Sequence, residues 1–162
     1  MTQKQLLQGA GDGTAVPAGF IGEKLEATIT STFTQASPVA QTIYDVTGLS
    51  ISVTPGVWVM SAFGVVQVSC ANTSVTGVLY LRDSANNNIQ FATGSQGHPT
   101  TQFTQTSALY ISETIVVSST TTYKVSAANR KTTGTAQTTP TLAVAVGADY
   151  AVNAYIRAVR IA

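Results

Sequence analysis

Charge is scarce in this 162-residue chain, where Asp, Glu, Lys and Arg make up only 9% of the residues, against about 25% in an average globular protein. The net charge is +1, and the eight basic residues are scattered along the sequence. Nucleic-acid binding needs a basic stripe that displaces counterions, so we expect no nucleic-acid partner. Low charge with 44% hydrophobic residues favours a surface partly covered by other subunits. The alternative is a monomer coated in Ser and Thr.

Cysteine and long apolar runs are also nearly absent. Cys70 is the single cysteine, which excludes an internal disulfide framework and favours a buried thiol. The longest apolar stretch, 56–70, is too short and too interrupted by Ser, Gly and Gln to span a bilayer. No basic segment followed by an apolar core opens the chain, so we predict neither a signal peptide nor a membrane partner.

Catalytic side chains are few. His98 is the only histidine, and its Gly-His-Pro context is more typical of an exposed loop than of a positioned base. Three copies of His98 on a trimer axis could bind a metal, and two of the seven acidic residues could form a site across distant strands. The GAGDG segment (9–13) lacks the preceding strand and following helix of a phosphate-binding loop. We therefore predict a chain that is not an enzyme and has no cofactor and no metal.

Alternation of apolar and polar residues predicts β-strands along most of the chain. Residues 25–33 alternate, with Ser31 as the one polar residue on the apolar side, and residues 49–53 alternate as well. Further strands are expected at 57–70, 75–82, 89–93, 108–118, 122–128, 141–145 and 154–161, with turns or loops at 84–88, 94–102 and 132–140. Eight or nine short strands without helices predict an all-β fold, an antiparallel jelly-roll β-sandwich (23–162) that follows a short extended N-terminal arm (1–22).

The strand at 57–70 is apolar on both faces. Its even positions carry no polar residue, and its odd positions include Val57, Val59, Phe63 and Val65. Because a strand that is apolar on both faces is covered on both sides, we predict that these four odd-numbered residues form a subunit interface.

The N-terminal arm raises a different question, because it carries apolar residues in a stretch too rich in Gly and Pro for a regular element. These residues are Leu6, Leu7, Val16, Pro17, Phe20 and Ile21. Ordering such an arm costs entropy, which burial on a partner offsets. One hypothesis is that the arm inserts into a partner or wraps a neighbouring subunit. The other is that it packs on its own domain as an extra edge strand.

Three segments resemble small structural proteins of tailed bacteriophages: AVPAGFIGE (15–23), LSISVTPGVWVMSA (49–62) and AYIRAVRIA (154–162). The resemblance implies a trimeric jelly roll similar to TNF and C1q. It also implies a place in the virion, as a capsid decoration (cement) protein, a head fibre or a tail-fibre tip. The expected partners are two further copies and the major capsid protein or another virion protein, and the resemblance implies that the arm anchors the protein to the capsid.

The chain lacks the long shaft of a tail fibre, which favours a knob that stabilises the phage head. The alternative is a tail-fibre or receptor-binding tip that recognises a host surface glycan or protein. Its contacts would come from the loops 84–88, 94–106 and 129–140, which include Phe103.

Overall fold

The structure is a computed structural model that describes residues 16, 18–94, 103–146 and 153–162, with only the backbone described for 70–74 and 131–140. Within these ranges every regular element is a β-strand. The strands are β1 (Lys24–Thr28), β2 (Phe33–Ala36), β3 (Tyr44–Val53), β4 (Gly56–Asp83), β5 (Asn88–Thr93), β6 (Phe103–Val117), β7 (Thr121–Ala145) and β8 (Tyr155–Arg160). All the strand pairs are antiparallel. The predicted all-β, antiparallel sandwich is confirmed, and the jelly-roll order stays a prediction.

Two long strands, β4 and β7, run through both layers of the sandwich. In the first layer, β6 pairs with one edge of the first half of β4. The other edge of this half pairs first with β8, which is followed by β1, and then with the end of β7, which is followed by β2. In the second layer the order is β5, the second half of β4, the first half of β7 and β3. Hydrogen bonds along β4 and β7 therefore join both layers into one continuous sheet.

The core lies between the layers and is built from the inward-facing residues of each strand. Trp58, Met60 and Val66 of β4 are fully buried there, as are Leu79 from its second half and Val125 of β7. Trp58 also satisfies its ring N–H, which donates to the carbonyl oxygen of Thr54 at 2.9 Å. The alternation seen in the sequence places these residues inward because successive side chains of a strand point to opposite faces.

The structure corrects three predicted boundaries. Residues 25–33 are not one strand, because β1 ends at Thr28 beside β8 whereas β2 begins at Phe33 beside β7. The predicted strands 57–70 and 75–82 are one strand, β4. The predicted loop 132–140 lies inside β7 and pairs with the part of β4 that joins those two segments. Register shifts occur there after Ser69, Ala71 and Ser74, and such bulges let a paired strand bend without ending.

Candidate functional site

The four residues predicted as an interface share one face of the first layer, which we call the outer face. It comprises Val57, Val59, Ser61, Phe63 and Val65 of β4, Ala108, Tyr110, Ser112, Thr114 and Val116 of β6, Tyr155, Arg157 and Val159 of β8, and Lys24, Glu26 and Thr28 of β1. Register partners on neighbouring strands point to the same side of a sheet. The strands therefore assemble a single surface from segments far apart in the sequence.

Apolar side chains on the outer face form two groups. The first group comprises Val57, Val116 of β6 and Ile161. Val57 lies opposite Val116 and accepts a backbone hydrogen bond from Ile161. The side chains of Val116 and Ile161 are 80% and 45% exposed. Farther along β4, Phe63 lies between Tyr110 of β6 and Tyr155 of β8. Exposed apolar side chains that adjoin one another in this way mark interaction surfaces on soluble proteins.

Val65 differs from the other three predicted interface residues. It is only 5% exposed, although its side chain points away from the core between the layers. Its register partners are Ala108 of β6 and Ala145 of β7. Val57, Val59 and Phe63 are each half-buried, so these three present more area to a partner than Val65 does.

A charged row crosses the outer face between the two apolar groups. Glu26 accepts a hydrogen bond from Arg157 Nε at 3.1 Å and forms an ion pair with Lys24 Nζ at 2.6 Å. The guanidinium of Arg157 also lies over the Tyr155 ring, 5.0 Å from its centroid. Hydrogen bonds from Lys24 and then Arg157 lower the pKa of Glu26. The row carries two cations and one anion, so its net charge is +1.

The end of the predicted arm is a compact turn on the domain. Gly22 donates its N–H to the carbonyl oxygen of Arg160 at 2.8 Å, and Glu23 accepts the N–H of Gly19 on its carboxylate at 2.6 Å. Gly19 and Gly22 both have positive φ, +84° and +91°, a conformation that glycine adopts at little cost. The turn holds Phe20 and Ile21 exposed, at 42% and 54%.

The other predicted arm residues are only partly covered by the structure. Val16 is half-buried and lies against Gly22, whereas Leu6, Leu7 and Pro17 lie outside the described residues. Gly22 and Glu23 hydrogen-bond to Arg160 of the domain, whereas Phe20 and Ile21 are exposed. Both hypotheses for the arm stay open.

A second cluster of charges, which the sequence did not indicate, lies on the second layer. Asp45 accepts hydrogen bonds from Lys124 Nζ at 2.6 Å and from Ser126 Oγ at 2.7 Å. Lys124 also donates to Asn86 Oδ1, and Arg82 donates to the carbonyl oxygen of Asn86. These contacts hold the predicted 84–88 turn onto the sheet. Partial burial would raise the pKa of Asp45, but the hydrogen bonds from Lys124 and Ser126 and the charges of Lys124 and Arg82 outweigh it, and the pKa is lowered.

The remaining sequence candidates add no reactive centre to the described part of the chain. Within it, no three His, Cys, Asp or Glu residues are grouped so as to hold a metal ion, and no helix is long and apolar enough to cross a membrane. His98 and the side chain of Cys70 lie outside the described residues. Phe103, proposed for glycan contact, is 47% exposed at the start of β6.

Comparison with known proteins gives no family. No family model matches the chain, and no curated protein matches it either. Among solved structures, the VP2 subviral particle of infectious bursal disease virus has a TM-score of 0.42 and 14% identity, over 95% of this chain and 42% of the viral chain. The Gt strain of the same virus has a TM-score of 0.39 and 16% identity, over 87% of this chain and 38% of the viral chain. The chain thus spans about two fifths of those viral chains, and likeness at this level assigns neither a family nor a function.

Proposed function

We propose that this chain is a non-enzymatic structural protein of a bacteriophage virion, a homotrimer that decorates and stabilises the head. The observation that carries the proposal is the outer face. It gathers the half-buried Val57, Val59 and Phe63 with the exposed Tyr110 and Val116 on one layer of the sandwich. The resemblance of three segments to tailed-phage structural proteins supports the virion as the place where this face is used.

The proposed trimer buries the outer face of each copy. Aromatic side chains are favoured at the centres of subunit interfaces because they bury large areas with few rotamers to restrict. Phe63, Tyr110 and Tyr155 supply three adjacent rings on the face. The charged row of Lys24, Glu26 and Arg157 beside them gives the contact an orientation, since like charges placed opposite each other disfavour wrong packings.

The proposed anchor to the capsid is the N-terminal segment. Phe20 and Ile21 stand out from a turn that two glycines and the Glu23 carboxylate keep in place, so little order has to be gained there when a partner binds. Leu6, Leu7, Val16 and Pro17 extend the same anchor in the proposal. Deleting residues 1–22 should abolish capsid binding, whereas unchanged binding would refute the anchor.

The experiment that tests the virion assignment is quantitative mass spectrometry of purified particles. A copy number comparable to that of the major capsid protein would support a decoration protein. A few trimers per particle would instead support the alternative, a tail-fibre or receptor-binding tip, for which the exposed Phe103 offers a ring that can contact sugars. Binding of the purified protein to host cells would then identify that role. Absence from the particle would refute both.

A further inference from the structure

The free edges of the sheet are not equally protected against pairing with another chain. An unpaired edge strand presents N–H and C=O groups to any second strand, and natural proteins blunt such edges with short strands, charges, Pro or bulges. In the described part of the chain, β1 has five residues with Lys24 and Glu26 among them, β2 has four residues and β5 has six. The pairing of β3 is interrupted by a register shift between Asp45 and Ser50.

None of these devices protects β6. It is 15 residues long, and all of them pair with β4 without a register shift. It contains no Lys, Arg or Pro, and Glu113 is its one charged residue. Glu113 is half-buried and accepts a hydrogen bond from Gln90 of β5, so its charge is not on the free edge.

The backbone groups that face this free edge can be identified from the pairing. Val57 exchanges backbone hydrogen bonds with Ile161 and Ala162, so the odd-numbered residues of β4 point their N–H and C=O groups towards β8. The even-numbered residues therefore point towards β6, where Trp58 lies opposite Ile115. Because the direction alternates along each strand, the even-numbered residues of β6 point their backbone groups away from β4. These residues are Thr104, Thr106, Ala108, Tyr110, Ser112, Thr114 and Val116.

We propose that β6 pairs antiparallel with β6 of a second copy about a twofold axis. A twofold axis opposes a strand to itself in the antiparallel direction, so the same surface serves both copies. None of the seven edge-facing residues is charged, so self-pairing brings no like charges together. Ser and Thr side chains opposite one another can exchange hydrogen bonds across the new pair. At about 3.4 Å per residue, the 15 residues offer a contact roughly 50 Å long.

This contact uses the backbone groups of the β6 edge and a twofold axis, whereas the proposed trimer uses side chains of the outer face and a threefold axis. The two contacts together predict an assembly of six copies. The edge contact alone gives two copies, the face contact alone gives three, and neither gives one. The mass of the assembly therefore distinguishes failure of this inference from failure of the proposed trimer.

The test is native mass spectrometry of the full chain with paired variants. Thr106→Lys adds a cation at the β6 edge, at a residue that is not part of the outer face. Thr34→Lys is its matched control, because Thr34 is also exposed and lies in the same row of register partners (Thr106, Gln67, Ala143 and Thr34), but it belongs to β2 at the opposite edge. We expect Thr106→Lys to halve the number of copies in the assembly and Thr34→Lys to leave it unchanged.

A second pair of variants tests the backbone itself. Thr104→Pro removes an N–H that faces the edge while every hydrogen bond to β4 is kept, and Thr104→Ala shortens the side chain without changing the backbone groups. Circular dichroism checks that both variants fold. We expect the Pro variant to halve the number of copies in the assembly and the Ala variant to leave that number unchanged. A wild-type assembly of one or three copies overturns the inference, as does an even-numbered assembly that survives both Thr106→Lys and Thr104→Pro.

Discussion

The rings of Phe63 and Tyr155 stack across neighbouring strands, with centroids 6.0 Å apart and planes inclined by 25°. Phe63 is half-buried, so much of this pair is available to a partner. We expect Phe63→Ala to weaken self-association at least tenfold, about 1.4 kcal/mol, since truncating an aromatic side chain at an interface centre commonly costs more than 1 kcal/mol. Sedimentation equilibrium over a concentration series measures this change.

Phe91→Ala is the matched control for that variant. The Phe91 ring also packs against a tyrosine, Tyr80, with centroids 5.9 Å apart and planes tilted by 38°, but it lies on the second layer of the sandwich. The control should associate as the wild type does. Equal weakening by the two variants would mean that the outer face is not the contact surface.

Gly77 leaves no room for a side chain in the core. A Cβ atom there would lie 2.7 Å from Cγ1 of Val66, so we expect Gly77→Ala to lower the free energy of unfolding by about 1–3 kcal/mol through overpacking. Urea unfolding of Gly77→Ala, Val66→Ala and the double variant measures the coupling. The double variant should be destabilised by less than the sum of the single changes, because the shorter side chain at 66 removes the clash. Additive losses would contradict this account.

The Asp45 cluster predicts a loss of stability in acid. Its hydrogen bonds and neighbouring cations lower the pKa of Asp45 below the ordinary value of 3.8, so the folded state favours the ionised carboxylate more than the unfolded state does. This contribution is present above the unfolded pKa and is lost as the pH falls through the lower, folded pKa. Urea unfolding at pH 7, 4 and 3 should show stability falling, and Asp45→Asn should be less stable than the wild type at pH 7 with a shallower pH dependence. Parallel profiles for the two proteins would refute the role of Asp45.

Glu23 is expected to keep the Phe20 and Ile21 turn in place. Its carboxylate accepts the Gly19 N–H, and a hydrogen bond to a charged group contributes about 1.5–3 kcal/mol. Glu23→Ala should speed hydrogen exchange of the Gly19 amide at least tenfold. Glu23→Gln keeps an oxygen acceptor and should have a smaller effect. Exchange that is unchanged in Glu23→Ala would show that the backbone hydrogen bonds alone hold the turn.

The sequence predicted the fold class because alternation reports which face of a strand is buried, and Trp58, Met60 and Val66 obey it. It also gathered Val57, Val59 and Phe63 on one face, for the same reason. It did not predict the continuity of β4, because the polar Asn72 resembles a turn residue and only pairing with β7 keeps that segment extended.

The contacts between residues far apart in the chain could not be predicted from the sequence. Asp45 and Lys124 are 79 positions apart, and Phe63 meets Tyr155 only through the register of β4 and β8. Register depends on how the whole sheet closes, which no short stretch encodes. The sequence singled out Phe20 and Ile21 as apolar residues of the arm. The turn that exposes them depends on the positive φ of Gly19 and Gly22, which only the structure gives.

The passage of β4 and β7 through both layers has a mechanical consequence. In a sandwich whose strands each belong to one layer, loops and side-chain packing join the two layers. Here a load applied at the outer face passes into the second layer along β4 and β7, which stay hydrogen-bonded to each other on the way. The two layers are therefore expected to yield together under tension, as one unit.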